Sequence, residues 1–340
     1  MEPPQLQEYD RIGSNPSVMT IGRQVARGYI VLPTISQHIP LLSGFSSAAA
    51  ELQGGSPFLD ASPFVESSVL SRKLRYTRKD VCRGSFLSNE SVKKSRASEH
   101  LTVHLGVTVG CDLLGGSVSG SYDRTVLDVG DSLTISRRCS YRAGGLTLSE
   151  SKEPLVLTDE AQNLLQGPNG LKRFHEAYGD FYLSEVSLGG DSGVCLTVSS
   201  LSHDDSEDKY IIGEVKVLVW SEDEVIANDH SSHHLQGRKA NLVAHDTLDD
   251  NFLSRTWPDG LVGDALTEVR GQVQSYSAKA EKLDVRVDER IARLVWDLED
   301  NEVRWDVCRR LWQEHLVVEM VFVPFSTLRE IRDILLDIHQ

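Results

Sequence analysis

The most regular feature of the chain is an alternation of apolar and polar residues in its middle third. In residues 101–111 the odd-numbered positions, Leu101 to Cys111, are apolar and the even-numbered ones are polar or glycine. This period of two predicts a long strand with one buried face. Residues 133–141 alternate similarly and predict a second strand. Gly115 and Gly116, between the two runs, indicate a bend or bulge and are candidate hinge residues of the sheet.

Two apolar runs follow, in residues 181–188 and 194–200, and each predicts a strand. Gly189, Gly190 and Asp191 separate them and have the composition of a turn. The pattern therefore predicts a β-hairpin with its turn at these residues. Gly189 and Gly190 are also candidates for a hinge in the sheet.

Residues 215–219 and 239–244 predict two further strands, because Val215, Val217 and Val219 alternate with more polar neighbours in the first of them. Residues 161–178 have helical spacing, interrupted near Gly167 and Pro168.

Beyond Pro258 the apolar residues recur every three or four positions, which predicts a long amphipathic helix over residues 266–298. The stripe could join two protomers as a coiled coil or lie on the sheet of its own chain, and the second arrangement is favoured. A short helix at residues 302–312 precedes the apolar run 316–323. Continuous apolarity predicts a strand in the interior of a sheet, and a closing helix follows it.

Charge limits the partners. The chain has 340 residues and a formal net charge of -15, which repels the phosphate backbone, so nucleic acid is not expected as a partner. No stretch has the roughly 20 apolar residues of a spanning helix. Residues 1–12 lack the pattern of a secretory signal. We therefore expect a protein that is cytoplasmic or released without a classical signal peptide, and membrane-associated only after assembly.

The cysteine pattern indicates neither disulfides nor zinc. The five cysteines are far apart in sequence and form no CxxC pair. This spacing favours reduced thiols that act as small buried apolar side chains. They are Cys82, Cys111, Cys139, Cys195 and Cys308.

No motif supports catalysis or a cofactor. Residues 190–193, Gly-Asp-Ser-Gly, resemble the nucleophile loop of trypsin-like proteases, but Val194 replaces the second glycine and no histidine has matching surroundings. His230, His233 and His234 could contribute to a metal site, yet their spacing fits no rigid ligand geometry. The sequence predicts no enzyme, no cofactor, no metal and no small-molecule substrate.

Four stretches together resemble the perforin and cholesterol-dependent cytolysin (MACPF/CDC) superfamily, especially its stonefish-toxin-like and fungal-type members. IGRQVARGYIVLPTISQHIPLLSGFS (21–46) is similar to the family's opening element, and SNESVKKSRASEHLTVHLGVTVGCDLLGGSVSGSYDRT (88–125) to its helix, long strand and glycine pair. FHEAYGDFYLSEVSLGG (174–190) resembles the perforin signature at Tyr178, Gly179, Asp180 and Phe181. VVEMVFVPFSTL (317–328) is like the final strand.

The resemblance implies one α+β domain over residues 1–340, with an N-terminal part to residue 98, a central sheet to residue 260 and a helical closing part. Its core would be a bent, twisted antiparallel sheet of four long strands flanked by helices. In pore-forming members two insertions between strands become membrane hairpins, and sheet edges of neighbouring protomers pair. The implied partners are copies of the chain or a second protein component, and membrane lipid.

The candidate insertions, residues 117–131 and 221–238, are short and charged for a membrane hairpin of about 20 residues. Two functions therefore stay open, a pore-forming or membrane-attack protein and a non-lytic intracellular interaction or scaffold module with the same fold. Protonation of His230, His233 and His234 below about pH 6.5 is a candidate trigger. The residues of the insertions that would face lipid or adjoin it are Ser117, Val118, Tyr122, Val126, Leu127, Val129, Val225, Ile226 and Leu235.

Overall fold

A single antiparallel sheet forms the centre of the computed structural model. The structure describes residues 28–33, 38–51, 56–59, 61–89, 132–149, 155–199, 210–211, 214–215, 219, 234–249, 251–294 and 302–338. Within these described residues ten strands belong to the sheet, and helices accompany them, which confirms the predicted α+β class. In chain order the strands are β1 (Ile30–Pro33), β2 (Gly44–Phe45), β3 (Phe58–Leu59), β4 (Leu74–Asn89), β5 (Ser132–Leu148), β6 (Phe181–Ser199), β7 (Ala240–Asp246), β8 (Asn251–Trp257), β9 (Glu302–Val303) and β10 (Val317–Pro324).

The longest strands, β4, β5 and β6, lie side by side and contain 16, 17 and 19 residues. The strand order is β1-β10-β6-β5-β4-β9, and the hairpin of β7 and β8 continues from β6. β10 lies between β1 and β6, which confirms its predicted interior position. The predicted strand at residues 101–111 lies outside the described residues.

The predicted hairpin at residues 181–200 is wrong, because β6 runs through it without a turn. Gly189, Gly190 and Asp191 all pair with β5, and from Ser192 onward β7 covers the other side. Pairing with neighbouring strands thus overrides the turn propensity of Gly-Gly-Asp.

The strand predicted at residues 215–219 is also wrong, because the described residues there are helical. Ile211, Val215 and Val219 are buried and recur every four residues, the spacing of one helix face. They pack with Val269 and Val273 in one apolar cluster. The alternation of valines at 215, 217 and 219 hid this helical period.

Helix α1 is Ser47–Glu51 and α2 is Glu66–Leu70. The helical pattern at residues 161–178 becomes two helices, α3 (Asp159–Gln166) and α4 (Gly170–Tyr178), separated at Gly167 as predicted. α7 (Trp305–Gln313) precedes β10, and α8 (Arg329–Ile338) closes the chain.

The long amphipathic helix is divided at Lys282 into α5 (Asp264–Glu281) and α6 (Leu283–Arg293). Its apolar stripe is buried against the chain's own sheet, which confirms the intramolecular arrangement. α5 packs with Leu196 and Leu242, and α6 packs with Leu146 and Leu188. None of the described helices is long and apolar enough to cross a membrane.

Candidate functional site

Helix α6 crosses the sheet at Gly190, and we call this crossing the mid-sheet site. A Cβ atom added at Gly190 would lie 2.9 Å from Leu283 Cδ1 and 3.1 Å from Val287 Cγ2. One added at the neighbouring Gly189 would overlap the backbone oxygen of Tyr141. Gly190 therefore permits the close approach of α6 to one face of β6, and Gly189 permits the close approach of the β5 backbone.

Register shifts align at the same level across four neighbouring strands. One lies between Arg78 and Val81 where β4 pairs with β5, and another between Arg142 and Gly144 where β5 pairs with β6. A third lies between Val317 and Glu319, where β10 pairs with β6. Bulges bend strands and increase their twist. This alignment places the irregular part of the sheet directly beside Gly189 and Gly190.

An ionic cluster attaches the helices to the β7–β8 turn. The fully buried carboxylate of Asp246 accepts two hydrogen bonds from the Arg286 guanidinium, at 2.6 and 3.0 Å. Asp249 contacts Lys279 at 2.9 Å, Arg286 at 3.1 Å and Arg290 at 2.7 Å. The hydrogen bond from Lys279, together with the charges of both arginines, lowers the pKa of Asp249. Both helices are thus tied electrostatically to one turn.

A second set of polar contacts attaches α6 to strands β4 and β5, on the side of the helix away from the β7–β8 turn. The Tyr141 hydroxyl lies 3.1 Å from a carboxylate oxygen of Asp80 and 3.1 Å from one of Asp288. Arg78 lies 3.3 Å from Asp288. Burial, reinforced by the Asp288 charge, raises the pKa of Tyr141, so this hydroxyl keeps its proton. Helix α6 therefore bridges from β4 to the β7–β8 turn.

The other face of the sheet carries a buried ion pair at the same level. Arg142 contacts Asp191 at 3.0 Å and Glu319 at 2.8 Å, and the Ser140 hydroxyl donates to Asp191. The Asp191 backbone N–H donates to the Thr247 hydroxyl at 2.8 Å. Although burial opposes it, Asp191 and Glu319 raise the pKa of Arg142. Asp191 thus joins β5, β6 and β10 rather than occupying a turn.

Ser192, of the protease-like Gly-Asp-Ser-Gly run, is fully buried within β6. Its hydroxyl donates to the backbone carbonyl of His245 at 3.4 Å. This side chain contacts strand β7. Within those residues, no cluster of three or more His, Cys, Asp or Glu side chains could hold a metal ion.

The signature-like residues join three elements. Tyr178 ends α4, Gly179 has φ 83°, and Phe181 begins β6. Asp180 accepts a hydrogen bond at 2.8 Å from the Ser47 backbone N–H and another from the Ser47 hydroxyl. A Cβ at Gly179 would overlap the backbone of Phe45. The tetrad therefore fixes α1 and β2 against the start of the longest strand.

The strand paired with the outer side of β5 is β4, not the predicted strand at residues 101–111. The predicted insertion at residues 117–131 is therefore only part of a longer connection, residues 90–131, between β4 and β5. Likewise residues 200–239, not only 221–238, connect β6 with β7. Between the strands that flank them, the two candidate insertions thus lie within connections of residues 90–131 and 200–239.

Most of the predicted insertion residues lie outside the described residues. Leu235 is buried in the cluster that contains Val215 and Val219, and His234 stacks on Tyr210 with ring centroids 5.3 Å apart. The structure does not describe Gly115, Gly116, Ser117, Val118, Tyr122, Val126, Leu127, Val129, Val225, Ile226, His230 or His233.

Sequence reasoning missed the ionic cluster at Asp246 and Asp249. The available signal was the pair Arg286 and Arg290, four residues apart on an amphipathic helix and therefore on one face. Which acidic residues they meet depends on the fold, because the turn after β7 is about 40 residues away in sequence.

No family model matches the chain, and no curated protein matches it by sequence. Among solved structures, GNIP1Aa from Chromobacterium piscinae is 14% identical with a TM-score of 0.34, over 87% of this chain and 54% of that one. Wild-type pneumolysin is 10% identical with a TM-score of 0.33, over 87% of this chain and 59% of that one. Stonustoxin is 9% identical with a TM-score of 0.39, over 91% and 34%. This chain therefore spans less than two thirds of each of these chains.

Proposed function

We propose that the chain is a perforin-like protein of the MACPF/CDC superfamily that forms pores or attacks membranes after oligomerising through its sheet edges. The observation that supports this most is the position of the two long connections. Asn89 pairs with Thr134, Ser132 with Ser199, and Val198 with Ala240. Residues 90–131 and 200–239 thus leave the same end of four neighbouring antiparallel strands.

Their length suits a pair of membrane hairpins. A membrane strand takes about 9–11 residues, so a hairpin needs about 20, and each connection exceeds this number. Residues 101–111 alternate over the length of one such strand. Their apolar odd positions would face lipid and their even positions the lumen.

The sheet edges offer a way to assemble. Among the described residues, β4 has a strand partner on its outer side only at Leu74 and Arg75, and β8 pairs only with β7. Unpaired strand edges bind other strands. Pairing of the β4 edge of one protomer with the β8 side of the next would be head-to-tail, which generates rings when the rotation closes.

Dye release from liposomes tests the proposal. Val107→Asp places a charge on the predicted lipid face, whereas Thr108→Asp, its matched control, places the same charge on the lumen face. We expect wild type and Thr108→Asp to release dye and Val107→Asp to lose most of the release. Electron microscopy of the same samples should reveal rings.

The alternative is a non-lytic interaction or scaffold module. It is favoured by the acidic residues of the connections, such as Asp123, Asp128, Glu222 and Glu224, together with the net charge of -15. A chain that stays monomeric and releases no dye, at neutral and acidic pH and on anionic and neutral liposomes, would establish this alternative. Under either function we infer a protein without catalytic chemistry, present in the cytoplasm or released without a classical signal.

A further inference from the structure

Two cysteines lie together on neighbouring strands of the sheet. Cys82 of β4 pairs with Tyr141, and Cys139 of β5 pairs with Gly84. Directly paired residues and residues two apart share a face, so both thiols are on the face that carries Tyr141. The two cysteines are therefore diagonal neighbours on that face. Gly84, directly opposite Cys139, has no side chain.

The two thiols differ in accessibility. Cys82 is exposed, contrary to the prediction of buried cysteines, whereas Cys139 is half-buried and packs against the core cluster beneath α6. Burial, and then the neighbouring Cys82, raises the pKa of Cys139 to about 12. Cys82 is therefore the thiol that an oxidant reaches first, and Cys139 is placed to react with it afterwards.

We propose that Cys82 and Cys139 are a redox-responsive pair that closes to a cross-strand disulfide by exchange with a small-molecule disulfide. The Cys82 thiolate attacks oxidised glutathione, forms a mixed disulfide and releases one glutathione thiolate. Cys139 then loses its proton to water, attacks Cys82 Sγ and releases the second glutathione thiolate. Two protein thiols are oxidised, one glutathione disulfide is reduced to two thiols, and the protons are taken up by the leaving thiolates.

Closure requires a small movement of β4. Diagonal partners in an antiparallel pair have Cα atoms about 7–8 Å apart, whereas disulfides need about 4.4–6.8 Å. β4 can approach β5, because beyond Arg75 no described strand pairs with its outer side and a register shift lies at residues 78–81. The bond would close a loop that contains the whole 90–131 connection. It would thus fix β4 to β5 beside the mid-sheet site.

The test uses the full-length chain without membranes, so its outcome does not depend on pore formation. After incubation with oxidised glutathione, thiols titrated in denaturant should fall from five to three, and a non-reducing peptide map should link Cys82 to Cys139. The melting temperature should rise by about 5 °C or more, and a dithiol reductant should reverse the change.

Matched variants locate the bond. Cys139→Ser should stop at a stable glutathione adduct on Cys82, and Cys82→Ser should form neither adduct nor link. Cys308→Ser, which removes a buried thiol elsewhere in the core, should leave the link intact. Five titratable thiols after oxidation, an adduct on Cys82 that never resolves in the wild-type chain, or a link between other cysteines would each overturn the proposal.

Discussion

Gly190 is a residue at which the sheet and helix α6 approach each other closely. Leu283 and Val287 occupy the space that a Cβ at this position would need. The Leu248 Cγ would lie 3.4 Å from such a Cβ. We predict that Gly190→Ala destabilises the chain by about 1–3 kcal/mol, because an added methyl overpacks a filled core. Urea unfolding measures the change.

Gly271, in the middle of α5, is the matched control. A Cβ there would meet no atom within 4 Å, and glycine inside a helix costs about 1 kcal/mol relative to alanine. Gly271→Ala should therefore stabilise the chain slightly. If both substitutions had the same sign, packing against α6 would not be the reason for glycine at position 190.

Two carboxyl groups give opposite pH dependences. Asp249 has a lowered pKa, chiefly through its hydrogen bond with Lys279, so its contribution is complete above the ordinary value of 3.8 and is lost only as the pH falls through the lower folded value. Burial raises the pKa of Glu214 above 4.5, against the charges of His234 and Arg270. The folded state therefore gains stability as the pH falls through the raised pKa of Glu214.

We predict that acidification from pH 7 to pH 4.5 leaves the Asp249 contacts intact and protonates the buried Glu214 carboxylate. Glu214→Gln should stabilise the chain at pH 7 and remove this part of its pH dependence. Urea midpoints at several pH values test both statements, with the exposed Glu176→Gln as control. A wild-type chain that loses stability over this range while Glu214→Gln does not would contradict the assignment.

At the scale of elements, α6 is held by ion pairs as well as by its apolar stripe. Because Asp246 is fully buried and Arg286 is 21% exposed, removing the carboxylate leaves a largely desolvated cation. We predict that Asp246→Asn costs about 2–4 kcal/mol, somewhat less than a fully buried pair because Asp249 still faces Arg286. A double-mutant cycle with Arg286→Met should give a coupling energy of about 1 kcal/mol or more.

The exposed pair Lys172 and Glu176, 3.9 Å apart on α4, is the reference for that cycle. Its coupling should be no more than about 0.5 kcal/mol. Equal coupling in the two cycles would mean that the Asp246 pair holds α6 no better than a surface contact does.

The elements also differ in how far sequence alone could define them. The stripe of α5 and α6, from Val269 to Val287, is long and regular, and its period predicted both the helix and its buried face. Gly189 and Gly190 have the composition of a turn, and only their pairing with β5 rules that turn out. The run that contains Val215 and Val219 fits both the period of a strand and the period of a helix. Its packing against the rest of the chain decides which of the two forms.

At the scale of the whole molecule, alternation predicted strand β5 and the family resemblance implied an antiparallel sheet, but neither predicted the strand order. β4, in the part of the chain with the weakest pattern, is the strand that pairs with β5. The partner of a strand is set by contacts far apart in sequence, and alternation reports only which face is buried. This partner defines where the connection 90–131 begins, and with it the length available to a membrane hairpin.

If the proposed pore requires the sheet to open, α6 must leave Gly190. A disulfide between the two should therefore block dye release. A Cβ at position 190 lies 3.1 Å from Val287 Cγ2, so the two Cβ atoms are at most about 4.6 Å apart, against about 3.5–4.5 Å in disulfides. We predict that Gly190→Cys with Val287→Cys, in a Cys82→Ser background, releases no dye when oxidised and recovers release after reduction.

The reduced double variant is the control for overpacking at position 190. Each single cysteine variant is the control for oxidation of other thiols. Full release by the oxidised, cross-linked chain would mean that α6 stays on the sheet while the membrane is breached. The mid-sheet site would then be a stabilising contact, and assembly would have to proceed through the β4 and β8 edges without movement of this helix.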